Sequence, residues 1–545
     1  MDDDESFDFD WLVVGSGFGG SVSALRLTEK GYSVGVLECG RRFADHELPA
    51  STADHRRYSW NPLIGMKGIF RLTIFKDVAV VSGCGVGGGS LGYANTLYVP
   101  PPQFFEDPQW AELNDWETEL APHYAEAQRM LGVVENPYDD PADQLLRELG
   151  DELGVGESYR KTPVGVFFGE PGKTVPDPYF DGEGPDRTGC RLCGRCMVGC
   201  PHGAKNTLVK NYLYFAEKRG ARVMPERTVV DVRPLGAGSG EEGYEVESVR
   251  SGAWVRKDRR VHRARGVVLA AGALGTNRLL QRCRLNGSLG RVSARLGELV
   301  RTNSESILTV TVPEDYPDDL IRRVAISSSI YPDAHTHIET VTYGDDGDSM
   351  HRFYTLLVGD GTRVTRPLKL LGQIALHPRR FAQAMFPKHW SRRTIILLVM
   401  QTLDNAIALR ARRGPFGLLR MTTEQDPQRP NPTFIPVANR AAEWFARRTG
   451  GTAQSSVMEA LLNVPTTAHI LGGAVIAGDA GRGVVDARQR VFGYENLLVC
   501  DGAAIPANVG VNPSLTITAL AEHAISHVPA ADVSGGEPQP EQIAA

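Results

Sequence analysis

Trp11-Leu12-Val13-Val14-Gly15-Ser16-Gly17-Phe18-Gly19-Gly20 is the stretch whose reading decides the fold. Its four apolar residues make a buried-type strand, and the G-x-G-x-x-G that follows is a tight turn opening a helix. Over Ser21–Lys30 the apolar residues Val22 and Leu25 recur at helical spacing, and Gly31 is placed as a C-terminal cap. Ser33–Leu37 then alternates into a second strand that ends at Glu38. Strand, turn, helix, strand and acid within about 30 residues predict a dinucleotide-binding unit. Gly15 permits the turn, Gly17 lets backbone approach a pyrophosphate at the helix N-terminus, and Gly20 allows close helix–strand packing. Glu38 is then positioned for the adenosine ribose hydroxyls.

Further along, the run Gly83-Cys84-Gly85-Val86-Gly87-Gly88-Gly89-Ser90 follows the apolar strand Val78–Val81. Backbone without β-carbons suits the close approach of a flat ring system, although a flexible loop can have the same spacing. Val267–Ala271, closed by Gly272, reads as another buried strand, and Asn496–Cys500 as a last parallel strand leading to Asp501-Gly502. Residues 222–264, with turn signals at Gly236–Gly243 and Ser251-Gly252, read as an antiparallel meander between parallel strands. Thr516–His523 begins a closing helix. The predicted class is α/β in the two-lobed, α+β sense: a Rossmann-like domain with a discontinuous second lobe built on a mainly antiparallel β-sheet. The first would combine residues 1–135, 190–300 and 460–530, with 136–189 as a connecting segment. Residues 301–459, with long β-rich segments, would form the substrate-binding lobe and 531–545 a flexible tail.

With 545 residues, 42% hydrophobic and 23% charged, the chain is neither disordered, collagen-like nor coiled-coil. A net charge of −6 offers nothing to nucleic acid. That total conceals an asymmetry, since residues 361–420 hold 12 Lys and Arg against one acid, Asp404. Within them His377–Arg393 interleaves basic residues with Phe381, Phe386 and Trp390. Such a face could rest on anionic lipid; the plainer reading is a solvated basic face, or one paired with acidic regions of the same chain. No apolar run reaches the roughly 18 residues of a membrane span. Met1–Asp10 carries six acids and no positive n-region, so it reads as an acidic tail leading into a strand and not as a signal peptide. A cytoplasmic protein, with at most peripheral contact at a membrane surface, is expected, and eight cysteines without a disulfide framework agree.

Cys190, Cys193, Cys196 and Cys200, followed by Pro201, have the spacing C-x2-C-x2-C-x3-C-P. This is the bacterial ferredoxin pattern for an iron–sulfur cluster. Structural zinc usually takes two separated C-x2-C pairs, and zinc or unmetallated thiols are the alternatives. In two-cluster ferredoxins the fourth cysteine serves the other cluster, and no second run exists here, so a 4Fe–4S site closed by Cys200 and a 3Fe–4S site both stay open.

These motifs, with His202-Gly203-Ala204-Lys205-Asn206 and the C-terminal Asp501-Gly502…Gly510-Val511-Asn512-Pro513, resemble the glucose–methanol–choline (GMC) flavoprotein oxidoreductases across nearly the whole chain. The resemblance is greatest to the intracellular actinobacterial branch of cholesterol-oxidase type. It implies FAD as cofactor, with Gly15, Gly17, Gly20 and Glu38 on its ADP half. Gly87, Gly88, Gly89 and Asn95 would lie along the flavin and ribityl chain, Val229 near the adenine, and Asp501 and Gly502 near the ribityl and pyrophosphate. His469, in Thr467-Ala468-His469-Ile470-Leu471-Gly472-Gly473, matches the family's active-site histidine and Asn512 its partner. Glu339 resembles the carboxylate that cholesterol oxidases use as isomerisation base, the alternative being a solvated strand carboxylate near the acidic Asp345–Asp348 loop. Cys84 and Tyr93 depart from the family, which often has a basic or amide residue and an asparagine there. Secreted cholesterol oxidases also lack the four-cysteine run, which opens the identity of the electron acceptor.

Oxidising a secondary alcohol needs a hydride acceptor and a group that takes the hydroxyl proton. Flavin supplies the first, and His469 can supply the second directly or through a water, with Asn512 holding the alcohol oxygen as charge develops. The expected activity is oxidation of the 3β-hydroxyl of a sterol, with 5-ene to 4-ene isomerisation if the substrate is a 5-ene. The alternative is a dehydrogenase for another alcohol or steroid, passing electrons through the cluster to a redox partner protein or quinone-like acceptor. A pure electron-transfer module is a third reading, against which stands a second lobe of about 160 residues.

Overall fold

The computed structural model describes residues 7–414 and 419–531. The acidic residues 1–6 and nearly all of the expected tail lie outside the described residues.

The strand Phe9–Val14 sits in the middle of a seven-stranded sheet. It pairs in parallel with Val34–Leu37 on one side and with the C-terminal half of Arg260–Leu269 on the other. Leu497–Val499 adds in parallel beyond that half. Arg222–Met224 completes the parallel part against Val34–Leu37. The antiparallel strands Arg227–Pro234 and Tyr244–Arg250 hang from the N-terminal half of Arg260–Leu269. The meander thus has the three strands its two turn signals implied, but it begins at Arg227, because Arg222–Met224 belongs to the parallel part of the sheet.

The first helix also begins earlier than apolar periodicity indicates, at Phe18, with Gly17 as its N-cap. Two glycines in a first turn cost propensity, and tertiary packing overrides it. A Cβ on Gly19 would lie 1.5 Å from the Cys500 carbonyl oxygen, and one on Gly20 2.0 Å from that of Gly15. The helix ends at Glu29, and Gly31, at φ +89°, turns the chain back toward the sheet. The C-terminal helix Ser514–Ser526, buried along most of its length, packs against this helix and against Trp116–Leu131.

A second seven-stranded sheet is antiparallel throughout and contains Ser306–Thr311, Ile326–Asp333, Thr336–Val341 and Thr394–Gln401. Its edge strand is Arg160–Lys161, and helix Pro141–Glu152 shares its apolar core with helix Pro436–Thr449. Residues 301–459 are less uniformly β than their composition implies, for Thr365–Leu376 and Pro378–Met385 are helices as well. A small third sheet joins the hairpin Phe70–Ile74 and Ala79–Gly83 to the two-residue strand Thr466–Thr467. That pairing lays the segment leading to His469 alongside the strand that ends at Gly83.

Candidate active site

The two glycine runs meet face to face. A Cβ on Gly88, at φ +52°, would stand 2.6 Å from Gly17 Cα, whereas one on Gly17 would meet nothing within 4 Å. Ser16 ties the runs together: its hydroxyl donates to Glu38 Oε2 at 2.7 Å and accepts from the Gly87 N–H at 3.1 Å. Glu38 also accepts from the Ser16 N–H and, on its other oxygen, from the Gly40 N–H. The acid expected at the ribose is therefore already seated on the glycine turn, with acceptor capacity remaining for a hydroxyl. Val229, half-buried, lies two residues beyond Arg227, whose N–H donates to the Glu38 carbonyl. Asp501 accepts from Thr276 Oγ1 at 2.5 Å and from the Ala503 N–H, and burial pushes its carboxyl up to about 6. Gly502 follows with a Cβ position 2.9 Å from Leu471. Open space above Gly17, between runs that exclude side chains elsewhere, is the cradle that a dinucleotide requires, and these residues fit FAD.

His469 follows the strand Thr466–Thr467, where Thr467 Oγ1 donates to the Thr302 carbonyl and accepts from the His469 N–H. Its Nδ1 lies against Glu305 Oε1. Glu305 Oε2 accepts from the Ala468 N–H at 2.9 Å, so one fully buried carboxylate grips both ring and backbone. This leaves Nε2 as the nitrogen free to meet a substrate.

Asn512 is fixed by its loop. Asn303 donates from Nδ2 to the Val511 carbonyl and accepts at Oδ1 from the Gly510 N–H. Gly510 has φ +68°, and a Cβ there would lie 2.2 Å from Thr402. The Asn512 amide donates to Glu339 Oε2 at 3.4 Å, and its Oδ1 is buried without a partner. Glu339 is buried completely within the strand Thr336–Val341, which removes the solvated alternative. Burial raises its carboxyl to about 8, and the nearby Glu305 charge adds to the rise. His337, two residues away on the same face, stacks on Tyr331 with both nitrogens unpartnered, and burial drives it down to about 3. Buried polar atoms without partners are rare in folded proteins. Here they concentrate around Asn512, Glu339 and His337, polar capacity that the surrounding side chains leave unmet.

Glu305 and His337 are the residues that sequence reasoning missed. Arg301-Thr302-Asn303-Ser304-Glu305-Ser306 looks like a solvated loop, yet all six are buried. Asn303 and Ser304 take positive φ, 58° and 46°, a strain that clusters at functional sites.

Cys190, Cys193, Cys196 and Cys200 line one cavity, together with Asn95, Lys205, Arg195 and Arg323. Asn95, expected along the flavin, has φ +68° and a buried amide with no partner on either atom, and lies on this cavity wall. Lys205 is fully buried and donates to the Cys196, Leu91 and Tyr93 carbonyls, bridging the cysteine loop to the segment after the glycine run. Burial lowers its ammonium to about 7.

Two family models, both described as GMC oxidoreductase, match residues 184–297 and 395–521. A cholesterol oxidase of Mycobacterium tuberculosis is 52% identical over 529 residues, covering 95% of this chain and 91% of that protein. A cholesterol oxidase of Acinetobacter baumannii is 47% identical over 96% of this chain and 95% of its own length. Among solved structures, an FAD-dependent oxidoreductase from Chaetomium thermophilum shares the fold at TM-score 0.59 and 16% identity, over 95% of this chain and 98% of its own. With a two-run glycine cradle, a half-buried histidine held against a buried carboxylate, and relatives this similar along its whole length, the chain belongs to the GMC oxidoreductases, FAD-dependent enzymes that act on CH–OH groups.

Proposed function

We propose that this enzyme oxidises the 3β-hydroxyl of a sterol. The observation that carries the reading is the buried cluster His469–Glu305 and Glu339–Asn512 in a chain so similar to proteins named cholesterol oxidase. FAD, when bound, supplies the hydride acceptor. His469 takes the hydroxyl proton at Nε2, while Glu305 holds the ring in place and stabilises the positive charge it gains. Asn512 orients the alcohol oxygen. Glu339, once ionised, moves a proton in the 5-ene to 4-ene shift. The cofactor contacts are those of Gly15, Gly17, Gly20, Glu38, Gly87, Gly88, Gly89, Val229, Asp501 and Gly502. Adding cholesterol to anaerobic holoenzyme tests the substrate class: flavin absorbance should bleach, and failure with every hydroxysteroid tried would reject it.

The cysteine cavity favours a second reading of where the electrons go. Its four thiols share one opening, and Lys205 offers a buried cation beside them, which suits an anionic iron–sulfur cluster. A 4Fe–4S or 3Fe–4S cluster there would provide one-electron exit to a redox protein or quinone-like acceptor. Comparing turnover on oxygen with turnover on an artificial one-electron acceptor separates the readings. Fast peroxide formation unchanged in Cys193→Ser would exclude a working cluster.

Peripheral membrane contact also belongs to the proposal. Leu368, Leu371, Leu376 and Phe386 stand exposed on the helices of the basic segment, Phe386 at 84%. Several of its arginines are paired internally, Arg363 with Asp77, Arg366 with Glu459 and Arg392 with Asp345. The apolar ridge, more than the net charge, supports a lipid surface as its partner. Among the described residues no helix is long and apolar enough to cross a membrane.

A further inference from the structure

Between two packed helices, a trio of side chains has no part in the chemistry above. Glu119 lies in the first turn of helix Trp116–Leu131, His523 in the last turn of Ser514–Ser526, and His527 caps that helix. Among the described residues these three are the one group of His, Cys, Asp and Glu whose ligand atoms all fall within 4.8 Å of one another. His523 Nε2 is 3.3 Å from Glu119 Oε1 and 3.2 Å from His527 Nε2. Donors around tetrahedral zinc, with bonds of about 2.0–2.2 Å, stand about 3.3–3.5 Å apart. The protein already holds two of these donor separations at that length.

The surroundings agree with a cation. His523 and His527 are four residues apart, so their rings share one helix face. They sit at the helix C-terminus, where unpaired carbonyls favour positive charge. His523 is buried with its Nδ1 sealed among side chains and its ring edge on Trp116, so Nε2 is the nitrogen that reaches the cluster. With one ring donating, the two neutral imidazoles hydrogen-bond to each other at 3.2 Å; a shared metal would replace that bond and engage both nitrogens at once. His527 is exposed and the Glu119 side chain partly so, which leaves an approach for the ion and room for water as fourth ligand.

We propose that Glu119, His523 and His527 form a divalent transition-metal site, zinc by its donor set, that clamps the C-terminal helix to helix Trp116–Leu131. The C-terminal helix begins at Ser514, nine residues and about 14 Å of axial rise before His523, and Asn512 lies two residues farther back. The metal is therefore structural and remote from the reacting groups.

The test uses holoenzyme freed of any affinity tag, stripped with EDTA and titrated with Zn2+, in parallel with His527→Ala and Glu119→Gln, surface changes that leave the core intact. Co2+ in place of zinc distinguishes this site from the cysteine cavity, since nitrogen and oxygen ligands give ligand-field bands without thiolate charge transfer. Wild type should take up zinc with a rise in Tm, and both variants should bind it about tenfold more weakly or worse and lose the Tm gain. Equal zinc uptake by wild type and His527→Ala, no uptake by wild type, or a Co2+ spectrum of thiolate character alone would overturn the assignment.

Discussion

At the scale of single residues, the site is two pairs whose carboxylates feel each other, Glu305 in close contact with His469 and Glu339 hydrogen-bonded to Asn512. His469→Ala should lower kcat by roughly 10²–10⁴-fold, the usual contribution of a general base, while flavin content stays that of wild type. Glu305→Gln keeps the shape of the side chain and removes its charge, so kcat should fall by about 10²-fold, as for a base slightly misplaced, with KM little changed. Glu339 acts as a base only when ionised. Because its carboxyl is raised to about 8, isomerisation of an added 5-en-3-one should be slow at neutral pH and climb through about pH 8. Following the conjugated enone by absorbance measures this; a flat profile, or Glu339→Gln retaining the rate, would remove Glu339 from that role. Asn512 and His469 became candidates through the family resemblance, since a histidine before Leu-Gly-Gly carries no catalytic signal by itself. Glu305 did not, because only the fold turns a polar run into a buried one.

Elements position these residues through close backbone approaches, and those are where substitution should be costly. Gly88→Ala puts a methyl 2.6 Å from Gly17 Cα at a positive φ, so loss of about 1–2 kcal/mol from the backbone alone is expected, and the protein should purify with little flavin. The absorbance ratio of flavin to protein reports it. The strand–turn–helix–strand unit at residues 11–38 was legible because its signals are local: a run of apolar residues, a glycine spacing, a terminal acid. The first-turn glycines Gly19 and Gly20 hid the true start of the helix, since Gly20 packs on the Gly15 carbonyl and the reason for Gly19 is contact with Cys500, nearly 500 residues away. The helices Thr365–Leu376 and Pro378–Met385 were missed for a different cause: Leu370 and Ala384 are buried, with Ile374 and Phe381 packed beside them, but Leu368, Leu371 and Leu376 are exposed, so apolar residues on several faces blur the stripe that marks the buried one.

Across the whole molecule, burial of carboxyls links stability to pH. Glu339 has an ordinary value of 4.5 and about 8 in the fold. Between these the unfolded chain has released the proton that the folded chain retains, so this group's contribution to stability declines as pH rises through that window and levels off above it. The Tm of Glu339→Gln relative to wild type should therefore increase from about pH 4.5 to about pH 8. The exposed ridge of the basic segment makes a separate prediction: Leu371→Glu with Phe386→Ser should slow oxidation of sterol held in anionic vesicles and leave detergent-dispersed sterol unaffected. Equal rates on vesicles would dismiss the ridge as a membrane contact. The central strand Phe9–Val14 finds its neighbour at Val267–Leu269 about 255 residues later, and that neighbour's other edge is closed only by Leu497–Val499. A ribosome adding about 5–20 residues per second takes from about half a minute to nearly two minutes to reach that strand. For most of its synthesis the nascent chain therefore carries an open, apolar sheet edge, and a message broken before Leu497 would yield a protein that chaperones must hold and proteases remove.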